Sequence, residues 1–520
     1  MKNIFCLIAF FIFYGINAQQ AGTLNEEFSE NGWDASVYAN DNGFSINKTI
    51  VQPDGKLLVC AKENHENEGH QAVVIRYNTN GSLDSTFGGG DGMVRSRDDD
   101  SINFYTQAAG MALQSNGKII IAGDVLNSVE RIFRLTTDGS LDLTFGNNGV
   151  VDLPRTNDES IYQVSIQSDD KIVVAGRETR TINGVFCPHV FLWRFTADGS
   201  LDSSFGNNGV VSYHFISKCG LGENYLQVND LLILPDDSIV VNQSFAGIAG
   251  YSVMFKKFLP NGTSDHSYGI NGEAARTEIF EGANFRNSSS SLQEDGAIVF
   301  SFTSFEEENN YSESVFRVSA EGFFDHSLHI DLQDFTLVAV PLQVLVHGDK
   351  IYLSKKEHAN IHCFNTILCY DLTGNPISTF GENGIATINQ NAIPSSMQSK
   401  ASISEDGDIY VVSYLEDSLN ENHVNFLVSN ILGFAKTLSM QDDFENQIVL
   451  APNPTSGLVH ISNFDQNSVD KIEVIDLLGK SILSTTAKIS TLDLSEFTAG
   501  VYIIRIQIGK SRIEKKVVKK

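Results

Sequence analysis

Short apolar runs recur along this chain, each closed by a Gly, Asn or Asp turn, and Val51-Gln-Pro-Asp-Gly-Lys-Leu-Leu-Val59 is the clearest instance. The same arrangement returns at 112–121, 165–174, 233–240, 292–299, 346–352 and 403–410. Each copy is an apolar stretch, a tight turn and a β-branched run. That order predicts a hairpin, because the turn requires positive φ, which Gly, Asn and Asp tolerate. A third strand is expected at Val73-Val-Ile-Arg-Tyr77 and Ile132-Phe-Arg-Leu135, and a fourth at Gly149-Val-Val151. Runs such as Ile119 to Ala122 are apolar at every position, as a strand covered on both faces by neighbouring sheets should be.

A second phrase repeats with the same period. Gly81-Ser-Leu-Asp-Ser-Thr-Phe-Gly88 returns at 139–146 and 199–206, more weakly at 262–269, 322–328 and 374–381, with a leading fragment at 25–28. Its aromatic or Leu position falls at 28, 87, 145, 205, 268, 328 and 380, so seven units lie 52 to 63 residues apart. Four short strands per unit and no helical period predict an all-β fold, a seven-bladed β-propeller. The two phrases resemble the delta-60 repeat family of bacterial propeller-like proteins over roughly 24–439. Whether an N-terminal strand completes the last blade is left open by the sequence.

A basic residue precedes the Asp of the second phrase by eight positions in five units: Arg76 with Asp84, Arg134 with Asp142, Arg194 with Asp202, Lys257 with Asp265 and Arg317 with Asp325. Unit six has Cys369 and Ile377 there, and unit seven has Val428 and Lys436, so base and acid vanish together. The joint loss predicts ion pairs across the turn from the last strand of one unit to the next. The competing reading is a ring of repeated ligand sites.

After a polar linker at 440–446 the pattern changes. Short strands at 458–461 and 471–476, a turn at 477–480, and a loop and long strand over 492–506 predict a small Ig-like β-sandwich at 447–520. Pro452, Asn453, Pro454 and Gly457, then Asp476-Leu-Leu-Gly479, Gly500 with Tyr502, and a Lys-rich end resemble the type A C-terminal sorting domain of the type IX secretion system of Bacteroidetes. The resemblance implies recognition by the type IX secretion machinery, then release or attachment at the outer cell surface.

The front of the chain agrees with export. Lys2, an apolar run from Ile4 to Tyr14 and Ile16-Asn17-Ala18 read as a signal peptide over 1–18, leaving the propeller at 19–439. No later run is long enough to predict a transmembrane segment. Residues 19–444 carry −31 within a formal total of −28, which disfavours nucleic acid as a partner. Cys60, Cys187, Cys219, Cys363 and Cys369 are too sparse for a disulfide scaffold, with Cys187–Cys219 the one pairing to consider.

No catalytic phrase emerges. His65-Glu66-Asn67-Glu68-Gly69-His70 has one residue too many between Glu and the second His for a zinc-protease helix, and His358, His362 and Cys363 fall in a strand, which does not bring them together. Asp91 and Asp98-Asp-Asp100 form no calcium loop. The expectation is a monomeric secreted or surface propeller that binds a glycan or a protein, without cofactor, metal or catalysis. The alternative is an extracellular carbohydrate hydrolase or lyase with carboxylates in the channel. Specificity is expected in irregular loops at 178–188, 214–223 and 305–311.

Overall fold

The computed structural model describes residues 20–520 apart from 30–31, 39–43, 66–68, 97–107, 125–129, 154–158, 183, 215–224, 248–249, 279–284, 287–288, 307–309, 337–341, 360–361, 389–395, 417–423, 435–448, 463–470, 477–479, 487–488 and 509–510. Two compact units divide the chain, Met1–Phe434 and Ala435–Lys520. The expected linker at 440–446 lies outside the described residues.

The first unit holds seven antiparallel sheets in sequence order. The first of them runs Phe44–Val51, Leu57–His65, Gly69–Tyr77 and Met93–Arg95, each strand pairing with the one before it. The next five repeat this meander, the inner strand of the fifth being split into Phe285–Arg286 and Ser290–Leu292. The first strand of each sheet touches the first strand of the next. Ser396–Ile403 of the seventh meets Phe44–Val51 of the first, so the ring of a β-propeller closes. The seventh sheet takes its outer strand from the other end of the unit: Trp33–Tyr38 pairs with Val424–Ile431, Trp33 opposite Ser429. That settles the strand left open above.

Second strands carry fully apolar runs, and Ile119 to Ala122, which open Ile119–Asp124, have no exposed surface. Burying each such side chain stabilises by about 1.5–3 kcal/mol. The seven repeated aromatic or Leu positions, from Phe28 to Phe380, are likewise buried.

Two expected loops are strands. Ile172–Ile182 and Val185–Phe195 form one long hairpin in which Ile182 pairs with Val185, and Phe305 pairs with Tyr311 in another. Beyond His214 the third expected loop is not described. Cys60 and Cys369 are free and buried, and Cys187 is disulfide-bonded, while its expected partner Cys219 lies outside the described residues.

The second unit has two small antiparallel sheets. Val449–Ala451, Leu458–Ser462 and Thr491–Asp493 make one; Ser481–Thr485, Lys471–Asp476, Gly500–Ile508 and Ser511–Lys519 make the other. Val459, Ile472, Leu492, Ile504 and Val517 share their core.

Candidate functional site

The Gly-Ser-Leu-Asp-x-x-Phe-Gly phrase forms the turn from the third to the fourth strand of one sheet, not from one unit to the next as the sequence reading had it. The third strand ends at Tyr77 and the fourth, at Met93–Arg95, pairs back onto it. Across this turn Arg76 Nε donates to Asp84 Oδ2 at 2.6 Å, Arg134 to Asp142 at 2.7 Å and Arg194 to Asp202 at 2.9 Å. Lys257 Nζ lies 3.3 Å from Asp265, and Arg317 Nε donates to Asp325 at 2.8 Å.

Three further contacts tie the Arg76, Arg134 and Arg194 pairs to their surroundings. The guanidinium of Arg134 lies 4.6 Å from the centre of the Phe145 ring, a favourable cation–π geometry, and its Nη1 donates to the Ala197 carbonyl of the next sheet at 2.5 Å. Lys118, from the Asn-Gly-Lys hairpin, adds a second cation 2.7 Å from Asp142, as Lys56 does 2.8 Å from Asp84. Gly139 (φ 88°) packs against the preceding sheet, where a Cβ would lie 2.9 Å from the Phe87 ring. Burial opposes the charge on Asp142, but Lys118, Thr144 and Arg134 outweigh it and hold the carboxyl well below its usual range. Every group here is consumed by a neighbouring protein group, which is the arrangement of a structural clasp. The turn carboxylates each accept from a backbone N–H two residues on, Asp84 from Thr86 N at 2.9 Å and Asp142 from Thr144 N at 3.1 Å.

A different set of side chains faces the middle of the ring. Inner strands of six sheets line a cavity of about 630 Å³ with Lys48, Gln163, Asn229, Asp230, Ser290, Gln343, Lys400 and their neighbours. A β-bulge interrupts the inner strands at Asn47, Tyr162 and Asn229, between the pairs on either side, and such bulges re-aim the residues that follow. Lys48, Gln163, Asp230 and Lys400 each stand four residues before the start of their hairpin turn, at Gln52, Gln167, Leu234 and Ser404. One repeat position thus supplies the cavity's charged groups.

Side chains stitch adjacent inner strands together around this cavity. Gln163 Nε2 donates to the Asn229 carbonyl at 2.7 Å, Ser290 Oγ to Asp230 Oδ2 at 2.8 Å, Ser289 Oγ accepts from Val344 N at 3.2 Å, and Gln343 Nε2 donates to Ala401 O at 2.7 Å. Burial pushes the Asp230 carboxyl up, against the pull of Lys48, Ser290 and Lys400. Burial also lowers the Lys400 ammonium, Lys48 adding to the effect and Asp230 opposing it. Among the described lining residues Asp230 is the one carboxylate, and no group of three metal-binding side chains occurs among the described residues.

Sequence reasoning passed over these cavity residues. The signal was present: reading back four positions from each hairpin turn returns Lys48, Asp230 and Lys400, a charged set at a position otherwise filled by Gly110, Gln163, Ser289 and Gln343. It also passed over a histidine pair on sheet three, where the His189 and His214 rings lie 4.7 Å apart and His189 Nδ1 sits 3.0 Å from the Cys187 carbonyl. The side chains of His65, His70, His358, His362 and Cys363, and residues 98–100, are outside the described set.

In the second unit the Pro452-Asn453-Pro454 segment clips the outermost strand. Asn453 donates to the Lys516 carbonyl at 2.8 Å and accepts from Val518 N at 2.9 Å, and Thr455 N donates to Val518 O at 2.8 Å. Gly457 fits because a Cβ there would lie 2.3 Å from Ser495 Oγ. The Tyr502 hydroxyl donates to the Thr498 carbonyl at 2.7 Å, Gly500 opens the strand that carries it, and Gly479 is not described.

The unit that follows the β-ring in sequence carries an export address. Residues 449–520 are a secretion system C-terminal sorting domain, and residues 52–87, 114–145 and 167–205 match a β-propeller domain of unknown function, DUF5122. The chain is therefore a type IX cargo of the Bacteroidetes kind, destined for secretion and the cell surface. No curated protein matches it. Among the described residues no helix is long and apolar enough to cross a membrane.

Solved structures with some likeness include a neuraminidase-like protein of bat influenza subtype N10 (10% identity, TM-score 0.36, 62% of this chain and 94% of that one). An α-L-arabinanase of Penicillium chrysogenum gives 12%, 0.38, 62% and 92%, and the endosialidase of phage phi92 gives 10%, 0.39, 94% and 88%. At such values nothing of their chemistry transfers to this chain.

Proposed function

We propose that the propeller is a non-catalytic, monomeric binding module, displayed at the cell surface after loss of residues 1–18, and that the central cavity takes part of its ligand. The observation that carries this is the cavity lining: amides, hydroxyls and two ammonium groups around a single described carboxylate. Hydrolysis of a glycosidic bond commonly needs two carboxyl groups about 5–9.5 Å apart, one to donate a proton and one to attack or to activate water. Asp230 has no such partner among the described lining residues, and two hydrogen bonds from Ser290 fix it in place. Gln and Asn side chains there match the hydroxyls of a sugar, which both donate and accept.

The test uses the chain without residues 1–18. It is incubated with insoluble polysaccharides, and bound protein and released soluble sugar are both measured. Binding with no release is the expected result; release of sugar from any polymer would assign the cavity to an enzyme.

A further inference from the structure

We infer that the cavity receives the acidic group of a glycan, held between Lys48 and Lys400 at the seam where the seventh sheet meets the first. This rests on the binding reading above and names its ligand class.

The two lysines occupy the same repeat position on neighbouring inner strands, Phe44–Val51 and Ser396–Ile403. Neither has a hydrogen bond or an ion pair among the described residues. The seams from sheet three to sheet seven are stitched by side-chain hydrogen bonds, through Gln163, Ser290, Ser289 and Gln343. Here two like charges stand instead, and like charges in a partly desolvated cavity repel.

A structural role would bring a carboxylate. The chain has 64 acidic residues, and its five clasps show how readily one is placed against a base. Asp230, the described lining carboxylate, belongs to sheet four, on the other side of the ring, and accepts from Ser290. Ser402, on the Lys400 strand, also lines the cavity, and its hydroxyl is buried with no hydrogen-bond partner among the described residues. The volume suits a sugar residue, since small-molecule pockets run to about 300–1,000 Å³. A carboxylate or sulfate on that sugar would complete the charge balance that the fold leaves open.

The experiment compares the chain without residues 1–18 with its Lys48→Met/Lys400→Met variant. Calorimetric titration uses oligogalacturonate, its methyl ester, a chondroitin sulfate oligosaccharide, free galacturonate and sodium sulfate. The expected result is that an acidic oligosaccharide binds the parent at least tenfold more tightly than the neutral ester, and that the variant loses this preference. Without ligand at low salt the variant should melt at or above the parent's temperature, because a repulsion has been removed.

Equal affinity for acid and ester, a preference that survives in the variant, or no binding of any acidic probe overturns the inference. So does a variant that melts lower, which would make the lysines structural. Free galacturonate or sulfate binding as tightly as the oligomers overturns the glycan assignment in favour of a small anion. Retained binding of neutral polymers alongside any of these leaves the binding reading standing; release of sugar is the outcome that removes that reading instead.

Discussion

Sheets two and six of the ring solve the same turn in opposite ways. In sheet two, Asp142 N donates to Arg134 O, and above that bond the two side chains form a buried ion pair with Lys118, Thr144 and the Phe145 ring around it. In sheet six, Ile377 N donates to Cys369 O in the same backbone frame at 2.9 Å, but the pair is replaced by a thiol and an aliphatic side chain packed with Tyr352 and Phe380. The backbone turn therefore does not require the charges. A buried ion pair and a well-packed apolar pair are often close to equal in stability, whereas half of either is costly.

Acid should expose the difference most broadly, because it acts on five carboxylates at once. Ser327 and Arg317 hold Asp325 down to about 2, and the others also lie below their usual range. A carboxyl depressed by folding contributes stability above its unfolded value of about 3.9, and that contribution is lost as pH falls through the folded value. Hydrogen exchange between about pH 4 and pH 2 should show the Asp142 amide losing protection before the Ile377 amide. The reverse order would remove the charges from the account.

Cys369→Arg comes next, since it buries a guanidinium beside Ile377 with no carboxylate to meet it; a loss of about 4 kcal/mol or more is expected in denaturant titration. Arg134→Met should cost about 3 kcal/mol by stranding Asp142, which Lys118 compensates only in part. Arg134→Cys with Asp142→Ile, which copies sheet six into sheet two, should fall within about 1 kcal/mol of the parent. A cost equal to the sum of the single changes would show that the two solutions are not interchangeable. Lys118→Met should be smallest, below about 1 kcal/mol, because Lys118 is partly exposed and its pair is water-screened.

What could be read in the sequence follows from range. Turns are local, so Gly139 and the hairpin Asn-Gly-Lys announce themselves, and an eight-residue offset between Arg134 and Asp142 is short enough to notice. Lys118 joins that clasp from 24 residues away, and the Ala197 carbonyl from 63, and neither leaves a mark in the sequence near Asp142. The long hairpin through Ile182 and Val185 reads in the sequence as an irregular loop because its Arg and Thr residues hide the alternation. Lys48 and Lys400 were hidden more deeply, since 352 positions separate them and only ring closure makes them neighbours.

The strand Trp33–Tyr38 also sets an order in time. It leaves the ribosome first among the strands of the ring, and its partner, Val424–Ile431, leaves last. Until then Trp33–Tyr38 has no strand to pair with, and joining two segments so far apart in sequence is a slow step by its loop entropy. The ring therefore stays open until its last strand has been made, and every shorter length of this unit carries an outer strand with nothing to pair against.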